Sequence, residues 1–254
     1  MDLLNGEFVS IITPAFNASK TLLATYDSLL KQTHKRWEWI VIDDASKDDT
    51  ISIAQQISLK DSRVRLFQNA SNKGAAYARN IGISASKGRY VAFLDADDIW
   101  LPQKLESQLR FIRKNGFSFV CSSYEVILPN GKRKIFSPKH KVITYKSLLK
   151  TNDVGCLTVM YDKQVYPQFR MPLDATKRED YAAWLDVTRN GRTINVQDEI
   201  LATYRVSRFG VSSSKLKMIK YQYLIFRKHE KFGAVKSGVL VLGISFRKVF
   251  CKAY

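Results

Sequence analysis

Asp95, Asp97 and Asp98 follow directly on Tyr90-Val-Ala-Phe-Leu94, an apolar run of the length and type expected of a strand buried on both faces. Three carboxylates at the end of such a strand repel one another strongly unless something positive sits among them. In an open α/β sheet, that end of the strand is also where ligands bind. Oxygen ligands in this pattern suit a hard cation, magnesium or manganese, which keeps waters and takes substrate phosphates as further ligands. A turn capping the helix that begins near Pro102 accounts for one aspartate but not for three.

The elements that must position these acids can be read from the same stretch backwards. Residues 8–13, 37–42, 64–67 and 90–94 are β-rich runs. Between them lie helical patterns at 19–32, with Ser19 as the expected cap, from Asp48 onward, and at 75–86. Strand and helix alternating in this way imply right-handed crossovers and a mostly parallel sheet. The run at 37–42 also ends in acids, Asp43 and Asp44. In a parallel sheet both acidic strand ends fall on one edge, so both should line one crevice. Further on, the pattern predicts helices at 102–115, 144–150 and 178–189. It also predicts strands at 117–124, 157–161, 193–196 and 202–204, with a hairpin at Asn130-Gly131.

The 254 residues carry a formal charge of +18, which calls for an anionic partner such as phosphorylated substrates, an anionic membrane surface or nucleic acid. Half of that excess lies after residue 210, where ten basic residues stand against one acid, Glu230. There Tyr221, Leu224, Ile225 and Phe226 alternate with Lys220, Arg227 and Lys228, and residues 238–246 are apolar. This is too short to span a bilayer but suits a basic amphipathic helix lying in an anionic membrane interface. The competing expectation is a helix packed on the sheet with a solvated basic face. Cys121, Cys156 and Cys251 are odd in number and widely spaced, which fits reduced thiols in an intracellular protein. The residues after Met1 lack the pattern of a secretory signal.

Val9-Ser-Ile-Ile-Thr-Pro-Ala-Phe-Asn17, Val41-Ile-Asp-Asp-Ala-Ser46, Asn72-Lys-Gly-Ala-Ala-Tyr-Ala-Arg-Asn-Ile-Gly82 and Phe93-Leu-Asp-Ala-Asp-Asp98 occur in this order, followed by Glu179-Asp180 and Trp184-Leu185. Together they resemble the family 2 glycosyltransferases of GT-A fold, over about residues 7–210. Within that family, Ile143-Thr-Tyr-Lys146 and Gly155-Cys-Leu-Thr-Val-Met160 are similar to bacterial enzymes of O-antigen, capsule or teichuronic-type polysaccharide assembly. The resemblance implies an α/β, Rossmann-like domain over 1–212, with a nucleotide-binding half at 1–100 and an acceptor half at 101–212. A basic helical extension at 213–254 would follow.

The resemblance also assigns roles. Pro14, Ala15, Phe16 and Asp44 would meet the nucleotide base, with Asp44 accepting from the uracil N–H and Asp43 supporting the turn or the ribose. Arg79 would hold diphosphate. Asp95 would face the ribose or the metal, Asp97 would ligate manganese or magnesium, and Asp98 would assist or cap the next helix. Asp180 would be the general base that takes the acceptor hydroxyl's proton. Glu179, Trp100, Arg205 and Arg208 would contact the acceptor or form a closing loop.

The implied reaction is inverting transfer of glucose or galactose from a UDP-sugar to a saccharide on polyprenyl diphosphate, forming a β-linkage. The enzyme would sit at the cytoplasmic face of the membrane, with no nucleic-acid partner. A phosphatase using Asp-x-Asp as nucleophile and acid is the first alternative, but three strands precede the motif here. A basic nucleic-acid-binding module is the second, yet no groove-reading motif is present.

Overall fold

The computed structural model describes residues 6–175, 177–206 and 215–250. Its first part alternates β1 (Val9–Ala15), α1 (Leu22–Leu30), β2 (Trp37–Asp43), α2 (Thr50–Lys60), β3 (Val64–Gln68), α3 (Ala75–Ala85) and β4 (Tyr90–Phe93). β2 and β4 are buried at every residue, as covered faces on both sides require. There follow β5 (Ile99–Trp100), α4 (Lys104–Asn115), β6 (Phe119–Ile127), β7 (Arg133–Phe136), β8 (Val142–Ile143) and α5 (Tyr145–Leu148). A 3-10 turn (Cys156–Thr158), β9 (Met160–Asp162), α6 (Glu179–Thr188) and β10 (Ile194–Arg205) come next. The chain closes with α7 (Lys215–Leu224), a π-helical turn (Ile225–His229) and α8 (Ala234–Phe250).

One sheet runs through the molecule in the order β3-β2-β1-β4-β9-β6-β10-β5, with β7 beside β6 and β8 beside β10. β3, β2, β1 and β4 are parallel, as the alternation predicts. Beyond β4 the sheet becomes mixed: β9 is antiparallel to both β4 and β6, and β10 is parallel to β6. Side chains from alternate strand positions feed two cores. Ile12, Ile42 and Phe93 pack with Ala78 of α3 and with Tyr181 and Trp184 of α6 on one face. Ile11, Trp39 and Leu94 pack with Leu22 of α1 and Leu109 of α4 on the other.

Several expectations are corrected. Ser19 does not cap α1, which begins at Leu22; the Ser19 amide instead donates to Asp48 Oδ2 at 3.1 Å. The two short strands expected at 193–196 and 202–204 are one strand, β10, kept continuous by register shifts between Gln197 and Ala202. The strand expected from 157 starts at Met160, because residues 156–158 wind into the 3-10 turn.

The C-terminal segment packs on the domain. Ile225, Phe226, Val241 and Ile244 are buried in the same core as Tyr181 and Trp184, and the Phe226 ring meets Tyr181 edge-on at 6.4 Å. Among the described residues, no helix is long and apolar enough to cross a membrane.

Candidate active site

β1, β2 and β4 run parallel in register, with Ile12 opposite both Ile40 and Phe93, so their carboxyl ends share one edge. Asp43, Asp44 and the 95–98 loop therefore lie along one side of the sheet, as expected. Thr25 of α1 fastens that loop from beneath, its hydroxyl donating to the Ala96 and Asp98 carbonyls at 3.0 and 2.9 Å. This tie could not be read from the sequence, since Thr25 lies seventy residues away on another helix.

Asp44 holds the start of α3. It accepts from Asn69 Nδ2 at 2.7 Å and from the amides of Lys73 and Gly74 at 2.9 and 2.7 Å. A carboxylate offers about four lone-pair sites, so roughly one remains for a ligand. Asp43 is fully buried; Oδ2 accepts from the Ser46 amide and Oδ1 has no partner. Pro14 and Ala15 close β1 beside them, and Phe16 is exposed.

With its first turn fixed, α3 delivers Arg79 to the centre of the site. Arg79 is buried and donates to Asp95 Oδ1 at 2.6 Å and to Glu179 Oε1 at 3.1 Å. Burial alone would weaken its charge, but Asp95 and Glu179 outweigh that and hold the guanidinium firmly protonated. The next residue, Asn80, exchanges two 2.8 Å hydrogen bonds with the Met171 backbone, on the loop leading to α6. α3 thus ties Asp95 to the amino terminus of α6 through Arg79, and holds the loop before that helix through Asn80.

Asp97 is half-buried and, among the described residues, its carboxylate accepts no side-chain donor; burial and the Asp95 charge push its pKa up. Asp98 is buried, with Oδ1 accepting from the Arg205 amide at 3.2 Å and Oδ2 unpartnered. Burial and the charges of Asp95 and Asp97 drive its pKa well up. Arg205 Nε donates to the Asp97 carbonyl at 2.5 Å, while its Nη2 is buried and without a partner among the described residues. The end of β10 therefore meets the aspartates directly, and Asp98 is the residue that fastens it there. Arg208 lies outside the described residues.

Two carboxylates short of positive charge and an orphaned buried oxygen are what a divalent cation would satisfy, so the donor set fits one. Among the described residues, three side chains of metal-ligand type come within 4.8 Å of one another only at Asp186, His229 and Glu230. There Arg189 already pairs with Asp186 and Glu230. That cluster fastens the C-terminal segment to α6. A cation at Asp95 and Asp97 would need ligands from the substrate.

Asp180 stands in the first turn of α6, half-buried. Burial and then Glu179 raise its pKa, while Arg178 and Arg79 pull it back. The remaining surface of α6 is buried almost all round, which suits a helix set against the sheet.

Trp100 is not an acceptor wall. It is buried, its indole N–H donates to the Leu157 carbonyl at 2.8 Å, and the Lys104 ammonium lies over its ring at 3.9 Å. Alternation explains this, because the residue after exposed-side Ile99 points into the core beneath α4. Cys156 is buried near Arg79 and Asp95, and burial pushes its thiol up, away from nucleophilic use. Tyr124, missed in the sequence, lies within electrostatic reach of both Asp98 and Asp180, with its ring against Phe136.

The sequence model for Glycosyl transferase family 2 matches residues 10–166. WfgD of Escherichia coli, a UDP-Glc:alpha-D-GlcNAc-diphosphoundecaprenol beta-1,3-glucosyltransferase, is 41% identical over 221 residues, 87% of this chain and 85% of that protein. TuaG of Bacillus subtilis (strain 168), a glycosyltransferase ascribed to teichuronic acid biosynthesis, is 38% identical over 232 residues, 90% of this chain and 91% of that protein. The mannosyltransferase PcManGT from Pyrobaculum calidifontis, solved with GDP-Man and Mn2+, superposes with a TM-score of 0.70 at 13% identity, covering 96% of this chain and 73% of that one. The frame is the GT-A fold, its acidic strand ends carry the family's motifs in order, and the chain belongs to glycosyl transferase family 2.

Proposed function

We propose that this protein transfers a hexose from a UDP-sugar to a hydroxyl of a sugar carried on a lipid diphosphate, with inversion. The observation that carries this reading is the Arg79 bridge. One buried arginine bonds both Asp95, on the nucleotide edge, and Glu179, which stands beside the candidate base a hundred residues on from the arginine. Donor and acceptor sites therefore face each other over a single cation. The name of WfgD, which gives UDP-Glc as donor and a diphosphoundecaprenol-linked GlcNAc as acceptor, supports the substrate class.

In this mechanism the base lies along the edge of β1 and β2, where Pro14, Ala15 and Phe16 flank it and the free site on Asp44 accepts from uracil. Asp97 and Asp95 would hold manganese or magnesium, which supplies charge neutralisation at the diphosphate. Arg79 and Arg205 add fixed positive charge there. Asp180 takes the proton as the acceptor oxygen bonds to the anomeric carbon. The bond from that carbon to the UDP oxygen breaks, and UDP leaves with the electron pair. One displacement converts an α-linked donor to a β-linked product.

A panel of UDP- and GDP-sugars with a synthetic lipid-diphosphate acceptor, read by NMR of the linkage, tests this. A β-product from a UDP-hexose is expected. An α-product, or a requirement for a GDP donor, contradicts it.

The C-terminal helices supply a membrane contact in this reading. α8 buries Val241 and Ile244 but leaves Val235, Val239 and Leu242 exposed at 82, 63 and 70% on one stripe. Lys236 and Lys231 flank it, and Lys217 and Lys220 lie on α7. An apolar stripe with a basic border suits the anionic leaflet where a lipid-linked acceptor resides.

A further inference from the structure

Arg178 precedes the two acids of α6 and occupies the cap position of that helix, with 8% of its surface exposed. Its amide donates to the Ala175 carbonyl and its carbonyl accepts from Ala182, so the backbone is fixed at both ends. The guanidinium lies 5.2 Å from the centre of the Tyr181 ring. Among the described residues it makes no hydrogen bond and no ion pair. A guanidinium carries five donors, and those of Arg178 are not among the sealed, unpartnered nitrogens of the described residues, so they stay within reach of an outside acceptor.

The other two cations of the site are anchored: Arg79 on Asp95 and Glu179, and Arg205 on the Asp97 carbonyl. Both belong to the side where the donor's diphosphate would lie. Arg178 belongs to the other side. It is two residues from Asp180, so their Cα atoms are at most about 7 Å apart, roughly the span of one sugar ring. The opposite charges of the two residues act on one another, and burial lowers the pKa of Arg178 for want of a full counter-charge.

We propose that Arg178 binds the phosphate through which the acceptor sugar is joined to its lipid, while Asp180 addresses a hydroxyl across the same ring. This rests on the reading that the acceptor is a phosphate-linked sugar. Arg178 would select such acceptors by a bidentate contact with the phosphate oxygens. It would also fix which hydroxyl reaches Asp180, because the ring is then held at its anomeric end. The same guanidinium chemistry would suit the donor's diphosphate, and the experiment separates the two.

The full chain is assayed with UDP-glucose or UDP-galactose, whichever the panel selects, and three acceptors: alkyl α-GlcNAc diphosphate, the monophosphate, and the phosphate-free alkyl glycoside. The unmodified protein is expected to favour the diphosphate over the phosphate-free acceptor at least tenfold in kcat/KM. Arg178→Gln should abolish that preference, cutting kcat/KM for the diphosphate acceptor at least tenfold more than for the phosphate-free one, with UDP affinity within twofold. Arg178→Lys should restore part of the preference. The inference is overturned if Arg178→Gln keeps the preference, lowers both acceptors alike, or weakens UDP binding, the last assigning Arg178 to the donor. No transfer by the unmodified protein to any of the three acceptors overturns the underlying reading, and this inference with it.

Discussion

Asp97 and Asp98 are adjacent in sequence and opposite in use. Among the described residues, Asp97 keeps a carboxylate with no side-chain donor at the edge of the site, whereas Asp98 is spent on the Arg205 amide. Asp97→Asn should weaken UDP binding in manganese by more than about tenfold, with little effect on UDP binding in EDTA, as read by calorimetry. Equal loss in both conditions would assign Asp97 to the nucleotide instead. Arg79→Gln breaks a buried pair on two carboxylates that are still partly exposed. It should cost roughly 3 kcal/mol of stability, at the low end for such a break, as a shifted urea midpoint. The acids were legible because three carboxylates after an apolar strand have few other uses. Their partners were not, since Thr25 and Asn69 are ordinary polar residues until the fold brings them within hydrogen-bond reach.

α3 is the element that bonds both the strand-end Asp95 and the first turn of α6, and its seat on β1 and β2 is tight. A Cβ at Gly82 would run into Ile12 Cγ2 and meet Ile42 Cδ1 at 3.0 Å. Gly82→Ala should therefore destabilise by about 1–3 kcal/mol and, by shifting α3, reduce transfer as well. Circular dichroism melts and initial rates check the two effects. α6 is held from its other end by His229, whose ring faces Asp174 at 3.2 Å and Asp186 at 3.0 Å, with Arg189 and Glu230 beside them. Its pKa is raised, chiefly by the hydrogen bond to Asp186. A raised folded-state pKa gives stability that is complete below the unfolded value near 6.5 and is lost as pH climbs through the folded one. His229→Gln should flatten that decline in denaturant titrations from pH 6.5 upward. The parallel half was readable because strand and helix alternate cleanly. β10 was not, because a bulge breaks the period-two pattern that marks a single strand.

At the scale of the whole molecule, one face of the sheet carries α3, α6 and the C-terminal helices in a common core. The basic tail in the sequence looked like an appendage because its lysines and aromatics alternate. Phe226 and Ile225 instead bury against α6, and Glu230 accepts from Tyr145 and pairs with Arg189. Removing the tail would unroof that core, so membrane contact is better tested at its outer stripe. Val239→Asp with Leu242→Asp should move the protein from vesicles containing anionic lipid to the supernatant in sedimentation assays, while the melting temperature holds. Unchanged sedimentation would remove α8 from the contact. The proposed mechanism divides the labour, with strand-end aspartates holding the nucleotide and Asp180 handling the acceptor's proton. Asp180→Asn separates the two halves when transfer rate and UDP affinity are measured on the same preparation. A rate at least about a hundredfold lower with UDP affinity unchanged is expected. Retained turnover, or UDP binding lost along with the rate, would rule that division out.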